Sequence, residues 1–130
     1  MRKVYTYFDG EESQVNSFLK KANEKIRNKF IFCIEYVRND KNCFGEPYVK
    51  HFSGGKFSRL YEVRIMAVSK MVRVIFYEHN GEITLLYAFY KKTLKDTKFA
   101  LAAALKILDR ITDSEGAVLE KHRKELILSD

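Results

Sequence analysis

The chain has 130 residues, 46% hydrophobic and 32% charged, a globular balance that excludes global disorder; roughly two-thirds of the unfolded surface can be buried without disulfides or metal. One proline and six glycines exclude a collagen-like chain, and the longest apolar run, Phe99 to Leu105, is too short to span a bilayer. The formal charge is +7, and Asp9, Glu11 and Glu12 follow Arg2 and Lys3 before any apolar stretch, so the N-terminus does not read as a signal peptide and a cytoplasmic protein with no membrane partner is expected.

Val4 to Phe8 is aromatic and β-branched and predicts a first strand. Asp9 with Glu12 suits a helix start, and Val15, Phe18, Leu19 and Ala22 then keep helical spacing. Asn23 predicts the cap of a second helix with the stripe Ile26, Phe30, Cys33, Ile34 and Val37, which makes Cys33 a small buried hydrophobe. Asn39 to Pro47 reads as a loop, with Cys43 in it as a free thiol. Three strand-like runs follow: Leu60–Ala67, Met71–Glu78 and Ile83–Lys91. Ser69-Lys70 turns the first pair and Asn80-Gly81, a strong hairpin signal, turns the second. Asp96 predicts the cap of a third helix along Leu101, Leu105, Leu108 and Ile111, broken at Asp113–Gly116. Val118 to Leu128 predicts a short fourth helix, with residues 114–130 loosely packed.

The order β-α-α-β-β-β-α-α predicts one α+β domain over residues 1–130. Its small antiparallel sheet would be joined by the first strand and covered on one face by the two N-terminal helices. The other face would be open, at least in part, to a ligand.

The charge is concentrated. Lys50 to Lys98 holds ten Lys/Arg against four Asp/Glu, and the rest of the chain holds 14 against 13. A polyanion partner accounts for this, and so does a solvated basic surface. Alternation puts Glu62 and Arg64 on one side of their strand, and Arg73 on a side with Met71, Ile75 and Tyr77. An arginine at mid-strand beside apolar neighbours must be paired or bound to something. Either Arg64 and Arg73 converge with Lys91 and Lys92 on an anion, or Arg64 pairs with Glu62 or Glu78. Lys50, His51, Lys56 and Arg59 flank Gly54-Gly55 and could follow an RNA backbone or simply be solvated. Tyr90 could stack on a base or pack in the sheet. No CxxC or Cys/His cluster points to metal, no paired carboxylates or phosphate-cradling glycine motif is present, and no cofactor is implied.

Four segments carry a resemblance. Phe44-Gly45-Glu46-Pro47-Tyr48-Val49-Lys50, Leu60-Tyr61-Glu62-Val63-Arg64, Val72-Arg73-Val74-Ile75-Phe76 and Leu85-Leu86-Tyr87-Ala88-Phe89-Tyr90-Lys91-Lys92-Thr93 resemble, in order and spacing, motifs of the RelE/HigB-type toxins, in the phage-derived branch of the RelE/ParE superfamily. Valine replaces the usual tyrosine before Arg73, tyrosine stands at position 87 where histidine is frequent, and Lys98-Phe99 replaces a usual acidic pair. The resemblance spans about Val15 to Ile111. It implies a RelE-like fold and a metal-independent endoribonuclease that enters the ribosomal A site. There the 2′-hydroxyl of the messenger attacks the adjacent phosphate, leaving a 2′,3′-cyclic phosphate and a 5′-hydroxyl. It also implies a cognate antitoxin, a small helix-turn-helix protein. Matched by position, the working residues fall on Arg64, Arg73 and Lys92 with Lys91 beside it. Glu62 stands where some relatives carry a basic group, so the general base is left among Lys91, Lys92 and Glu62. A gyrase-poisoning relative, a non-catalytic nucleic-acid-binding protein of phage origin and a degenerate toxin remain as alternatives.

Overall fold

The computed structural model describes residues 2–39 and 48–126. Of the loop expected at Asn39–Pro47, Asn39 is still helical, as the last residue of the second helix, and the rest, with Cys43 and most of the Phe44–Lys50 motif, lies outside the described residues. The described chain is an α+β protein with three α-helices and one six-stranded sheet. Strand β1 (Lys3–Tyr7) leads to helices α1 (Gln14–Lys21) and α2 (Glu24–Asn39). Strands β2 (Val49–His51), β3 (Leu60–Ala67), β4 (Lys70–His79) and β5 (Glu82–Tyr90) precede helix α3 (Leu94–Ile111), and β6 (Arg123–Glu125) ends the described fold.

Strands β3, β4 and β5 form the expected antiparallel meander. Asn80 and Gly81, both at positive φ, turn its second hairpin. The first hairpin turns on Val68 and Ser69, at φ 53° and 62°, one residue earlier than expected. A β-branched residue in this left-handed region is strained.

The sheet order is β2-β3-β4-β5-β1-β6. The first strand joins the sheet as expected, but it pairs parallel to β5, with Val4 opposite Ile83, so the sheet is mixed and not wholly antiparallel. β1 thereby lies inside the sheet, and β6 covers its outer edge in antiparallel register, with Thr6 opposite Lys124. This corrects the predicted fourth helix. Glu120–His122 forms a single 3-10 turn and Arg123–Glu125 a strand, because the N–H and C=O groups along β1 offer a ladder that a short, weakly periodic helix cannot match. Residues 127–130 lie outside the described chain.

Helices α1 and α2 cover one sheet face. Ile26, Phe30, Cys33, Ile34 and Val37 are all buried there against Val63, Ile65, Val72 and Val74. Asn23 caps α2 as predicted, its Oδ1 accepting from the Ile26 N–H at 2.9 Å. Helix α1 starts later than the Asp9–Glu12 signal, at Gln14, with the Ser13 hydroxyl accepting from the Asn16 N–H at 3.2 Å. Asp9 and Glu12 pair with each other in an isolated bridge.

Helix α3 packs on the opposite face, over Leu60, Ile75, Tyr77 and Leu86, through Ala100, Leu101, Ala104 and Leu108. Its cap is Thr93; Asp96, expected as the cap, is instead the third helical residue, and its carboxylate accepts from the Thr93 and Lys92 N–H groups at 2.9 and 2.8 Å. α3 covers only one end of this face. Glu62, Arg64, Met66, Met71 and Arg73 stand at the other.

Candidate functional site

The meander register builds the site. Arg64 lies opposite Arg73, and Arg73 opposite Phe89, so the three form one row across β3, β4 and β5. Glu62 lies opposite Ile75 one row away, and Lys50 of β2 opposite Glu62. A directly opposed arginine pair repels itself unless something intervenes. Glu62 does: its Oε1 is 3.5 Å from Nε of Arg64 and 3.4 Å from Nε of Arg73. Only 2% of Glu62 is exposed, and its Oε2 is buried without a hydrogen-bond partner.

One buried carboxylate therefore lies between two guanidiniums in a half-covered site. Burial pushes the Arg73 guanidinium below its usual pKa; the Glu62 carboxylate opposes that shift and Arg64 adds to it. The terminal nitrogens of Arg73 rest on weak partners. Nη1 donates to the Val72 carbonyl at 3.2 Å, and Nη2 to the Met71 sulfur at 3.8 Å.

A hollow of about 310 Å³ opens over this pair, lined by Lys29, Tyr48, Arg64, Ile65, Met66 and Arg73. Lys29 and Tyr48 were not singled out from the sequence. Lys29 sits on the same helix as the buried α2 stripe, one residue before Phe30, and only the packing of α2 beside β3 brings it to the arginines. A second hollow, of about 220 Å³, is lined by Ser69, Lys70, Met71, Tyr90, Lys91 and Lys92. Met71, which touches Arg73 and lines this second hollow, stands between the two. Among the described residues no acidic side chain lines either hollow.

The structure thus brings Arg64 and Arg73 together, while Lys91 and Lys92, just past the end of β5, line the second hollow and meet the arginine site through Met71. The Lys91 N–H continues the ladder to the Met71 carbonyl at 2.8 Å. Tyr90 faces the other side of the sheet, where its ring lies 4.7 Å from Phe18 and the Lys70 ammonium 5.1 Å from its centroid. Of the other predicted RNA-binding residues, Lys50 stands across the ladder from Glu62, and His51, Lys56 and Arg59 have partners of their own. His51 stacks on Tyr61 at 4.5 Å and its Nε2 is 2.6 Å from the Ser58 carbonyl oxygen. Arg59 pairs with Asp109 of α3 at 2.9 Å. Lys56 lies over Phe57 and Lys50 over Phe52, both exposed. Among the described residues no group of His, Cys, Asp or Glu could hold a metal ion, and no helix is long and apolar enough to cross a membrane.

A meander with helices on both faces and a pair of arginines around one buried carboxylate at one end of the sheet defines a small α+β protein of RelE-like fold. The chain belongs to the phage-derived protein Gp49-like (DUF891) family, whose model matches residues 17–110, a family of RelE/toxin-like proteins. That match runs from α1 to α3 and includes the whole meander. No curated protein matches the chain.

Proposed function

We propose that this protein is the toxin of a type II toxin–antitoxin module of RelE/HigB type, a ribosome-dependent endoribonuclease acting on messenger RNA. The observation that carries the reading is the Arg64–Arg73 pair, opposed across two strands, sharing the buried Glu62 carboxylate and lining one hollow with Lys29. In-line attack by a ribose 2′-hydroxyl builds charge on the phosphate oxygens. Fixed guanidinium forks stabilise that charge, each well-aimed donor being worth about 3 kcal/mol. The terminal nitrogens of Arg73 exchange a carbonyl and a thioether for phosphate oxygens at little cost. Glu62 lies behind the arginines and is spent on holding them, so Lys91 or Lys92 fits the role of proton acceptor for the 2′-hydroxyl better than Glu62 does. The leaving 5′-oxygen takes a proton, and the products are a 2′,3′-cyclic phosphate and a 5′-hydroxyl. No step needs a metal or cofactor. The antitoxin, a small helix-turn-helix protein, holds the toxin inactive.

The Glu62 contacts also favour a second reading, in which both arginines are structural ion-pair residues and the protein binds nucleic acid without cutting it. Ribosomes programmed with a defined message separate the two. The nuclease cuts at the vacant A-site codon and leaves a cyclic phosphate, and a single 2′-deoxy substitution at the scissile nucleotide abolishes the cut. Binding without any cut supports the second reading.

A further inference from the structure

Lys29 belongs to two hollows at once. Besides the arginine site it lines a wider groove of about 420 Å³ with Lys25, Asn28, Phe32, Ala67 and Val68. The floor of that groove is apolar and open to water: Phe32 is 55% exposed and Val68 50%. Met66, 58% exposed, lines the arginine hollow next to it. Three large apolar side chains left this open at the rim of a cationic site mark a binding surface. The Lys29 ammonium lies 4.8 Å from the Phe32 ring centroid, and among the described residues no acid lines the groove. Val68 reaches the groove from a strained hairpin tip, which sets it opposite Phe32 at the cost of a left-handed backbone.

We propose that Phe32, with Lys25 and Lys29, forms a stacking platform for the nucleobase next to the phosphate held by Arg64 and Arg73. The proposal deepens the nuclease reading and rests on it for the phosphate. A flat aromatic face beside ammonium groups is the chemistry that takes an unpaired base and its flanking phosphates, and stacking is tolerant of sequence. Lys29 then bridges the two subsites, and the backbone runs from the groove into the arginine hollow along a path whose charged side chains, among the described residues, are Lys25, Lys29, Arg64 and Arg73. An acidic, apolar protein segment is the competing occupant; continuity with the phosphate site favours the nucleotide.

The test uses programmed ribosomes whose message carries 2′-deoxyribose at the scissile nucleotide and 2-aminopurine on either side of it in turn. Binding of the unaltered protein quenches the fluorescence in one of the two messages. Phe32→Ala loses that quench and binds roughly tenfold to a hundredfold more weakly, while Phe32→Tyr keeps both. Lys29→Gln weakens binding and lowers the salt slope by about one. A quench that persists when an all-ribose message is never cut defeats the nuclease reading and leaves the platform standing. Absence of any quench with the unaltered protein overturns the platform. So does an unchanged quench and affinity in Phe32→Ala, and if that variant instead loses affinity for the cognate antitoxin, the groove is a protein interface.

Discussion

Glu62 and Arg73 are coupled, and substitutions at either should be read together. Glu62→Gln keeps the shape and removes the one anion between two guanidiniums. It should lower stability by about 3 kcal/mol, because two cations are then left facing each other in a desolvated site. Urea unfolding measures this, and an unchanged midpoint means the arginines relax into water instead. Arg73→Ala removes a fork aimed at phosphate and should abolish cleavage. Arg64 still partners Glu62 in that variant, so the stability loss should stay within about 1–3 kcal/mol. Arg73→Lys returns the charge without the fork and should recover only part of the rate. Lost cleavage that tracks a large fall in melting temperature in every Arg73 variant contradicts the catalytic role. Strand alternation put Glu62 and Arg64 on one side of β3 and Arg73 with Met71 on one side of β4; that these sides are the same face comes from the register that sets Arg64 opposite Arg73. Lys29 and Phe32 were not legible, since their proximity to that face depends on how α2 packs beside β3, and Tyr48 was not, since the short β2 ladder, where its carbonyl accepts from the Arg64 N–H at 2.8 Å, brings it there. Tyr90 followed its period to the helix-covered face and a contact with Phe18.

The individual elements follow their caps closely. Asp96 accepts from two backbone N–H groups at the start of α3, which holds its carboxyl below the ordinary 3.8. A depressed folded value means that this stabilisation is present above the unfolded carboxyl value and is lost as pH falls through the folded one. Asp96→Asn should therefore lower the unfolding midpoint at neutral pH, by an amount that shrinks as the pH falls below the ordinary carboxyl range, an equal loss at every pH being the contrary result. Thr93→Ala should cost about 1 kcal/mol through the other half of the same capping box. Val68 at φ 53° predicts a gain: Val68→Gly should raise stability by about 1 kcal/mol, strain relief outweighing glycine's larger entropy loss. Helices with a strong apolar stripe, α2 and α3, were legible because burial and periodicity agree. The C-terminal segment was not, because its fate is decided by the open edge of β1. There Arg123 pairs with Glu82 at 2.8 Å and with Glu120, and its guanidinium lies 3.7 Å from the centre of the Tyr5 ring. These partners sit on three other segments, so the strand is specified by tertiary contacts and not by its own propensity.

At the scale of the molecule, the meander was legible from period and turns. The parallel seating of β1 was not, because a short β-branched run carries the same pattern in either direction. The excess charge between Lys50 and Lys98 predicts that ribosome affinity falls steeply with salt, and neutralising Lys50, Lys56 and Arg59 should flatten that slope. Arg59 should contribute least of the three, since Asp109 already engages it. An unchanged slope means that this end of the sheet faces away from the RNA. The most direct measurement of the central claim is transcriptome-wide mapping of 5′ ends in cells shortly after the protein is expressed without its partner. The account predicts new 5′-hydroxyl ends inside the codons of translated messages, absent when translation is blocked beforehand and absent with Arg73→Ala. Arrested growth with intact messages would contradict it.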